Sequence, residues 1–119
     1  MIKGIGIDII ELERIKQSIK KSERLADRVL TKREKKRYLE LPNERRKVEF
    51  LAGRFAAKEA CAKALGTGIG ALSFQHIEIL NEASGAPKLQ VSGHESDYFL
   101  LSISHSQEYA VAQVLIQEG

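Results

Sequence analysis

The sequence predicts an α+β domain, with an N-terminal strand, about three helices and then several antiparallel strands. Apolar residues alternate with a period of two near the N-terminus and follow a helical period through the middle of the chain. From Ser73 onward the period returns to two. Strands separated in this way by a block of helices are typical of α+β folds. At 119 residues the chain is expected to form a single domain, residues 1–119.

The first predicted element is a strand over residues 2–10. Its two faces differ in character, with three isoleucines on one and two glycines and an aspartate on the other: Ile5, Ile7 and Ile9, then Gly4, Gly6 and Asp8. The glycines leave a bare backbone that another group can approach closely. Asp8 has two interpretations, because an aspartate here either caps the next helix or belongs to a site at the strand end.

Two shorter helices are predicted next. Leu12, Ile15 and Ile19 form a helical apolar stripe. A capping box begins at Thr31, since a glutamate follows three residues later, and it predicts a second helix that runs to about Leu41.

A third and longer helix is predicted over residues 44–65. Its i, i+4 row is Leu51, Phe55, Glu59 and Lys63, so two apolar residues lead into a carboxylate and an ammonium. A carboxylate on a core-facing stripe is costly unless a cation or metal neutralises it, which indicates a site. The alternative is an ordinary Glu59–Lys63 surface pair.

The rest of the chain predicts a glycine-rich turn and antiparallel strands. The glycines at 66–70 follow a helix rather than precede one, which excludes Rossmann and Walker A loops. They either provide the helix C-cap or expose N–H groups to a phosphate. Residues 74–80 and 88–92 predict one pair of strands, and residues 98–104 and 109–116 predict a second.

Charge is distributed unevenly along the chain. The net charge is +3, but Glu11 to Lys47 carries +7 and the remaining residues carry −4. A basic surface of this kind fits an acidic partner. Nucleic acid is poorly supported because aromatic residues for stacking on bases are scarce there, and a basic surface that is merely solvated is the third interpretation.

Composition also limits the cellular setting. No apolar run is long enough to cross a bilayer, so no membrane association is expected. The N-terminus leads directly into a strand-like run, so no signal peptide is expected. A single cysteine, Cys61, excludes an internal disulfide framework, and a small buried thiol in a cytoplasmic protein is expected.

Two groups of polar residues are candidates for chemistry. Asp8 and Glu59, with few histidine or cysteine partners, suit a hard cation such as Mg²⁺, which often binds through one or two carboxylates and substrate phosphates. His105 lies between Ser104 and Ser106, but the Gly-x-Ser-x-Gly elbow of a hydrolase is missing. This histidine either binds a phosphate or ribose, or is a structural turn residue.

Taken in order, these segments resemble the holo-[acyl-carrier-protein] synthase family, the short bacterial 4′-phosphopantetheinyl transferases. The resemblance covers nearly the whole chain and differs at His76 and Cys61, neither of which is a motif residue. The matching segments are residues 4–8, 11, 14–15, 28–31, 49–60, 63–64, 66–70, 73–74, 77–78, 85–87, 102–106 and 109–114.

The resemblance implies an enzyme that moves 4′-phosphopantetheine from coenzyme A to a serine of apo-acyl carrier protein, releasing adenosine 3′,5′-bisphosphate. It implies Mg²⁺ held by Asp8 and Glu59, which also contact the pyrophosphate. Lys63 would reach a phosphate or help to protonate the leaving group. Either carboxylate, or a metal-bound water that one of them orients, would accept the serine proton.

The resemblance also implies binding residues and an assembly. A homotrimer with active sites between subunits is expected, and no nucleic acid partner. The carrier protein, a small acidic protein, would bind the basic segment. The residues expected to bind coenzyme A are Arg46, Arg54, Lys63, Gly66, Gly68, Ser104 and His105, with Arg45 and Lys47 bordering the site, and those expected to bind the carrier protein are Arg14, Lys21, Arg24 and Arg28.

Two other functions compete with this interpretation. A nucleic-acid-binding module would explain the basic segment but would leave Asp8, Glu59 and His105 without a role. A Mg²⁺-dependent phosphohydrolase would use the same carboxylates with water as the nucleophile.

Overall fold

The computed structural model describes residues 1–70 and 72–119 and confirms the α+β class. A strand leads into helices, which are followed by antiparallel strands. The elements in chain order are β1 (Ile2–Glu11), α1 (Leu12–Lys21), α2 (Arg24–Val29), α3 (Lys32–Leu39), α4 (Glu44–Leu65), a 3₁₀ turn (Phe74–His76), β2 (Ile77–Asn81), β3 (Pro87–Val91), β4 (Tyr98–His105) and β5 (Tyr109–Gln117).

The strands form two antiparallel groups. β1, β5 and β4 make a three-stranded sheet in that order, and β2 and β3 make a separate hairpin. The long helix α4 packs on one side of the three-stranded sheet, across β1 and β5. Its buried residues form the centre of the core, and they include Leu51, Ala56 and Cys61. The expected buried thiol is confirmed, and burial raises its pKa to about 12.

The glycines of β1 allow α4 to approach the sheet closely, as their spacing predicts. A Cβ built on Gly4 would lie 2.1 Å from the carbonyl oxygen of Ala64, and one on Gly6 would lie 2.0 Å from that of Ala60. No side chain fits at either position. The group that approaches the bare backbone is therefore the helix that carries Glu59.

The isoleucines of β1 lie on the opposite side of the sheet, which we call the outer face. Ile5, Ile7 and Ile9 remain 59%, 57% and 62% exposed. Cross-strand pairing places Leu115 beside Ile5, and Leu100, which is 52% exposed, beside Leu115. A single chain thus presents an apolar sheet surface to solvent, which is unusual for a monomer.

The helical region differs from the prediction in one element. The described residues contain four α-helices, because a six-residue helix, α2, follows α1 after the extended residue Ser22. So short a helix gives too little periodicity to be recognised in the sequence. The capping box at Thr31 is confirmed, with the Thr31 N–H donating to Glu34 at 2.8 Å, but α3 ends at Leu39 instead of Leu41.

The first strand of the hairpin begins later than predicted. Phe74, expected to open a strand, belongs to the 3₁₀ turn, and β2 starts at Ile77. The hydroxyl of Ser73 accepts a hydrogen bond from the Gln75 N–H at 3.1 Å, and His76 Nδ1 accepts one from the Ser73 N–H at 3.2 Å. These side-chain caps compete with strand pairing. Within the described residues, no helix is long and apolar enough to span a membrane.

Candidate active site

Three polar side chains meet where β1 runs under the C-terminal half of α4. Lys63 Nζ donates to Asp8 Oδ1 at 3.0 Å and to the carbonyl oxygen of Ile7 at 3.1 Å. Glu59 lies one helical turn before Lys63 and is half-buried. The structure therefore brings together the three residues predicted to be catalytic, and we call Asp8, Glu59 and Lys63 the carboxylate cluster. Asp8 does not cap α1, whose N-cap is Glu11.

The two carboxylates of this cluster repel each other. Burial raises the pKa of Glu59, and the charge of Asp8 raises it further, while Lys63 and Arg28 oppose the shift. Two close carboxylates with only partial compensation favour the binding of a cation. Among the described residues, no group of three or more histidine, cysteine or acidic side chains surrounds a single point. The pair fits Mg²⁺, which commonly uses one or two carboxylates and keeps waters and phosphates as its other ligands.

Arg28 borders the same cluster from α2. Its guanidinium carbon lies 5.5 Å from the centre of the Phe74 ring. Its positive charge is close enough to lower the pKa of Glu59 against the larger effect of burial. One of the residues predicted to bind a partner protein therefore lies beside a residue predicted to be catalytic.

A second group of cations surrounds a cavity of about 310 Å³ between α4, the hairpin and β4. We call it the arginine cavity. It brings together three of the residues predicted to bind coenzyme A: Arg46, Arg54 and His105. The structure adds residues that the sequence analysis did not assign to coenzyme A, namely Arg37, Asn81 and Ile103.

Arg54 is the least exposed cation of this cavity, at 9% of its surface. One guanidinium nitrogen donates to Asn81 Oδ1 at 3.0 Å, and the group stacks on Phe50 at 4.3 Å from the ring centre. Its Nε is buried and has no hydrogen-bond partner among the described residues. Burial lowers the pKa of Arg54, and the charge of Glu34 opposes this shift. Within the described chain no carboxylate forms an ion pair with Arg54. A buried cation of this kind fits an anionic ligand.

His105 is held at the edge of the cavity by an acidic neighbour. Its Nδ1 lies 3.6 Å from Glu49 Oε2, and the same carboxylate oxygen accepts a hydrogen bond from Arg45 Nε at 3.0 Å. Arg45 also reaches the backbone of the β4–β5 turn, because its guanidinium donates to the carbonyl oxygens of Ser106 and Gln107. The i, i+4 spacing of Arg45 and Glu49 was a visible signal for this ion pair.

The remaining residues predicted to bind coenzyme A lie elsewhere. Ser104 pairs with Val111 and projects from the outer face, so it points away from its neighbour His105. Gly66 is the left-handed C-cap of α4, with φ of 78°, and its N–H donates to Lys63. The N–H of Gly68 donates to Ala62. The geometry matches the helix-cap interpretation of these glycines, and a phosphate contact remains a prediction.

The predicted partner-binding residues form an exposed basic surface on α1 and α2. Arg14, Lys21, Arg24 and Arg28 are all exposed. In the part of the chain that the structure describes, none of them lies within 4.0 Å of a carboxylate oxygen. Their charges are therefore available to a partner.

The carboxylate cluster and the arginine cavity lie on opposite flanks of α4. Asp8 on β1 pairs with Ala112 on β5, which in turn pairs with Ile103 at the cavity. Two strand spacings, or about 10 Å, separate Asp8 from Ile103, and α4 covers the sheet between them. A ligand that contacts both groups of one chain would have to extend around α4.

The fold and both groups of residues suit an enzyme that acts on phosphate groups, and comparison with known proteins identifies its family. Residues 4–114 match the family model described as the 4′-phosphopantetheinyl transferase superfamily. The holo-[acyl-carrier-protein] synthase of Oceanobacillus iheyensis is 53% identical over 117 residues, which cover 98% of each chain. The chain therefore belongs to the 4′-phosphopantetheinyl transferase superfamily, and the family and enzyme class expected from the sequence are confirmed.

Solved structures agree with this assignment. A holo-(acyl-carrier-protein) synthase from Bacillus anthracis, in complex with CoA (3′,5′-ADP), is 49% identical and superposes with a TM-score of 0.91 over 100% of this chain and 99% of that one. The Helicobacter pylori holo-[acyl-carrier-protein] synthase in complex with coenzyme A is 34% identical, with a TM-score of 0.83 over 95% of this chain and 99% of that one.

Proposed function

We propose that the chain transfers the 4′-phosphopantetheine group of coenzyme A to a serine of apo-acyl carrier protein, in a Mg²⁺-dependent reaction that releases adenosine 3′,5′-bisphosphate. The carboxylate cluster is the observation that carries this proposal. It combines two carboxylates that suit a divalent cation with an ammonium beside them. The family and the names of the relatives support the same reaction.

The reaction makes one bond and breaks one. The serine oxygen bonds to the phosphorus that carries pantetheine, and the bond from that phosphorus to the bridging oxygen of the pyrophosphate breaks. The bridging oxygen leaves on the nucleotide. Mg²⁺ held by Asp8 and Glu59 would neutralise charge on the pyrophosphate. Lys63, already 3.0 Å from Asp8, supplies a hydrogen bond or a proton to the departing oxygen.

Glu59 is the better candidate to accept the serine proton. Asp8 is already engaged as the acceptor of the hydrogen bond from Lys63 at 3.0 Å. Burial raises the pKa of Glu59, and the charge of Asp8 raises it further, so Glu59 binds a proton more readily than an ordinary glutamate. The proton passes to Glu59 directly or through a water molecule.

The arginine cavity binds the phosphates of the nucleotide in this proposal. Arg54 has a buried Nε without a hydrogen-bond partner among the described residues, and Arg46 and His105 line the same space. An anion would complete the hydrogen bonding of Arg54 and compensate its buried charge. Asn81 Oδ1 accepts a hydrogen bond from a terminal guanidinium nitrogen of Arg54 at 3.0 Å.

The carrier protein binds the exposed basic surface of α1 and α2. Arg14, Lys21 and Arg24 supply charge that attracts an acidic protein, and Arg28 brings the surface up to Glu59. A serine on the bound carrier would then face the carboxylate cluster. We place the reaction in the cytoplasm, as the one cysteine is a reduced and buried thiol.

The working assembly is a homotrimer with active sites between subunits. The outer face supplies the contact, since Ile5, Ile7 and Ile9 would become buried against a second copy. The separation of the carboxylate cluster and the arginine cavity supplies the reason for a shared site. One subunit would contribute the carboxylates and its neighbour the arginine cavity.

A mass measurement tests the reaction. Incubation with coenzyme A, Mg²⁺ and apo-acyl carrier protein should increase the carrier mass by one phosphopantetheine group, and thorough chelation should abolish the increase. A carrier with its acceptor serine replaced by alanine is the control. Release of free phosphopantetheine without carrier modification would instead indicate a phosphohydrolase, and full activity after chelation would reject the metal.

Subunit exchange tests the shared site. Asp8→Ala and His105→Ala proteins should each be inactive, and mixing them should restore part of the activity. Recovery requires that the two residues of a working site come from different chains. A fully active monomer at the assay concentration would reject both the trimer and the shared site.

A further inference from the structure

Side chains contact the backbone carbonyls at the corner between α2 and α3. The last carbonyls of a helix have no partner within the helix and normally face solvent. Here Gln75 Nε2 lies within hydrogen-bonding distance of the carbonyl oxygens of Asp27, Arg28 and Leu30, at 3.2, 3.1 and 2.8 Å, so its two N–H groups are shared among three acceptors. One exposed side chain of the 3₁₀ turn thus contacts three carbonyls of the four-residue segment 27–30.

A buried lysine contacts the fourth carbonyl. Lys58 is 0% exposed, and its Nζ donates to the carbonyl oxygen of Val29 at 2.7 Å, to that of Phe74 at 3.1 Å and to Glu34 Oε1 at 2.6 Å. Glu34 is equally buried and accepts hydrogen bonds from the backbone N–H groups of Thr31 and Ile79, each at 2.8 Å. We call Gln75, Lys58 and Glu34 the corner clamp.

The clamp is a poor device for stability alone. An ion pair removed from water gains little, and apolar residues of similar volume often serve as well or better. Burial lowers the pKa of Lys58, and the carboxylate of Glu34 opposes that effect. What the clamp supplies is geometry, since an ammonium on α4 with three fixed acceptors, one each from α2, α3 and the 3₁₀ turn, restricts how these four elements can be arranged.

The elements held in this way include α2, which carries predicted carrier-binding residues, and α4, which carries Glu59. Lys58 precedes Glu59 on α4, and Val29 follows Arg28 on α2. The ring over which the Arg28 guanidinium lies, at 5.5 Å, belongs to Phe74, whose carbonyl also binds Lys58. The Lys58 ammonium therefore links three parts of the surface. It binds Val29, the residue after Arg28, and Phe74, whose ring lies under Arg28, and it is itself on the helix that carries Glu59.

We propose that the corner clamp is a positioning device that holds α2, with Arg24 and Arg28, at a fixed distance from the carboxylate cluster. Its residues do not touch the metal or the substrate, and they act through the segment that they hold. This inference rests on the proposed function, because α2 is the surface assigned there to the carrier protein. Loosening the clamp should therefore impair carrier modification while leaving nucleotide binding intact.

Gln75→Ala is the principal test, with Gln90→Ala as the matched control. Both glutamines are exposed, and Gln90 lies on β3 outside the clamp. Gln75→Ala should accelerate amide hydrogen exchange in residues 24–31 and lower kcat/KM for carrier protein by about tenfold. The dissociation constant of adenosine 3′,5′-bisphosphate should change by less than about twofold, the scatter of ordinary surface substitutions. Gln90→Ala should change none of these.

Two results would overturn the proposal. Either Gln75→Ala behaves as Gln90→Ala does in exchange or in kcat/KM, or nucleotide binding weakens in parallel with carrier modification. Hydrogen exchange also separates this proposal from the reaction itself. If the wild-type protein modified no carrier, the proposed function would fail, and exchange would still report whether Gln75 holds the corner.

A second pair of variants examines the buried part of the clamp. Lys58→Met removes the ion-pair partner of the buried Glu34, so the melting temperature of this variant should fall steeply. Lys58→Met combined with Glu34→Gln removes both charges and should recover much of that loss. Recovered stability together with low kcat toward carrier protein supports positioning. Recovered stability together with wild-type kcat shows that Lys58 is purely structural and overturns its part in the proposal.

Discussion

Gly6→Ala tests the close approach of β1 and α4 that assembles the carboxylate cluster. The added Cβ would lie 2.0 Å from the carbonyl oxygen of Ala60 and 2.8 Å from the amide nitrogen of Ala64, both of them backbone atoms of α4. Ordinary contacts of a Cβ begin at 3.4 Å, so α4 must retreat by about 1 Å or more. Since Glu59 and Lys63 are on α4 and Asp8 is on β1, the retreat also opens the site.

The expected loss of stability is moderate. Overpacking of this kind costs about 1–3 kcal/mol, and the alanine recovers about 0.4–1 kcal/mol by restricting the unfolded chain. A net loss of about 1–2 kcal/mol corresponds to a fall of about 4–10 °C in melting temperature for a chain of this length. Mg²⁺ stabilises a protein by binding its folded state, so weaker binding at the opened site should give a smaller increase in melting temperature than in the wild type.

Thermal unfolding with and without Mg²⁺ measures both effects, and Gly53→Ala is the matched control. A Cβ on Gly53 meets only the Ile103 methyl group Cγ2 at 3.2 Å, a side chain that can shift. Alanine is also favoured over glycine within a helix by about 1 kcal/mol. Gly53→Ala should therefore keep or raise the melting temperature. The close approach would be refuted if the Gly6→Ala protein had the melting temperature of the wild type and the same increase in melting temperature on addition of Mg²⁺.

Three further predictions address the site, the assembly and the partner surface. Burial and then Asp8 raise the pKa of Glu59 above its ordinary 4.5, so stability falls as pH rises through the window between the unfolded and folded values. Glu59→Gln should therefore raise the melting temperature of metal-free protein at pH 7 but not below pH 4.5, and an equal gain at both pH values would contradict the repulsion. Ile7→Lys on the outer face should dissociate the oligomer in analytical ultracentrifugation, whereas an unchanged mass would place the interface elsewhere. Arg24→Glu should raise KM for carrier protein and make that KM less dependent on salt, since salt screens exposed charges over about 8–10 Å. Lys36→Glu on α3 is the control. If the two charge reversals had equal effects on KM, the partner surface would not lie on α2.

Short-range patterns predicted which face of each element carries the residues of the carboxylate cluster, whereas their assignment to one site came from the resemblance to a known family. The alternation of β1 puts Asp8 on the same side as Gly4 and Gly6, and the helical period puts Lys63 one turn after Glu59. Gly4 and Gly6 are also visible in the sequence, and they indicate where another element can pack closely on β1. The site follows once two elements with these patterns pack together, as the hydrogen bond from Lys63 to Asp8 shows.

The arginine cavity and the corner clamp were not predictable in this way. Arg54 depends on Asn81, which is 27 positions away in the sequence, and Lys58 depends on a carbonyl at Val29, 29 positions before it. A lysine within a helix is ordinarily solvated, and nothing in its immediate sequence distinguishes a buried one. Such contacts appear only after the hairpin and the α2–α3 corner have packed on α4, so tertiary structure decides them.

The first strand links catalysis to assembly through its register. Alternation places Asp8 toward α4 and, in the same strand, places Ile7 and Ile9 on the outer face. A slip of one residue against β5 would exchange the two sets, burying isoleucines where the helix requires glycine and turning Asp8 outward. The close contact at Gly6 excludes that slip, since no isoleucine fits within 2.0 Å of a helix carbonyl. The same glycines that let α4 bring Glu59 to Asp8 therefore also fix the apolar surface on which we expect a second subunit to pack.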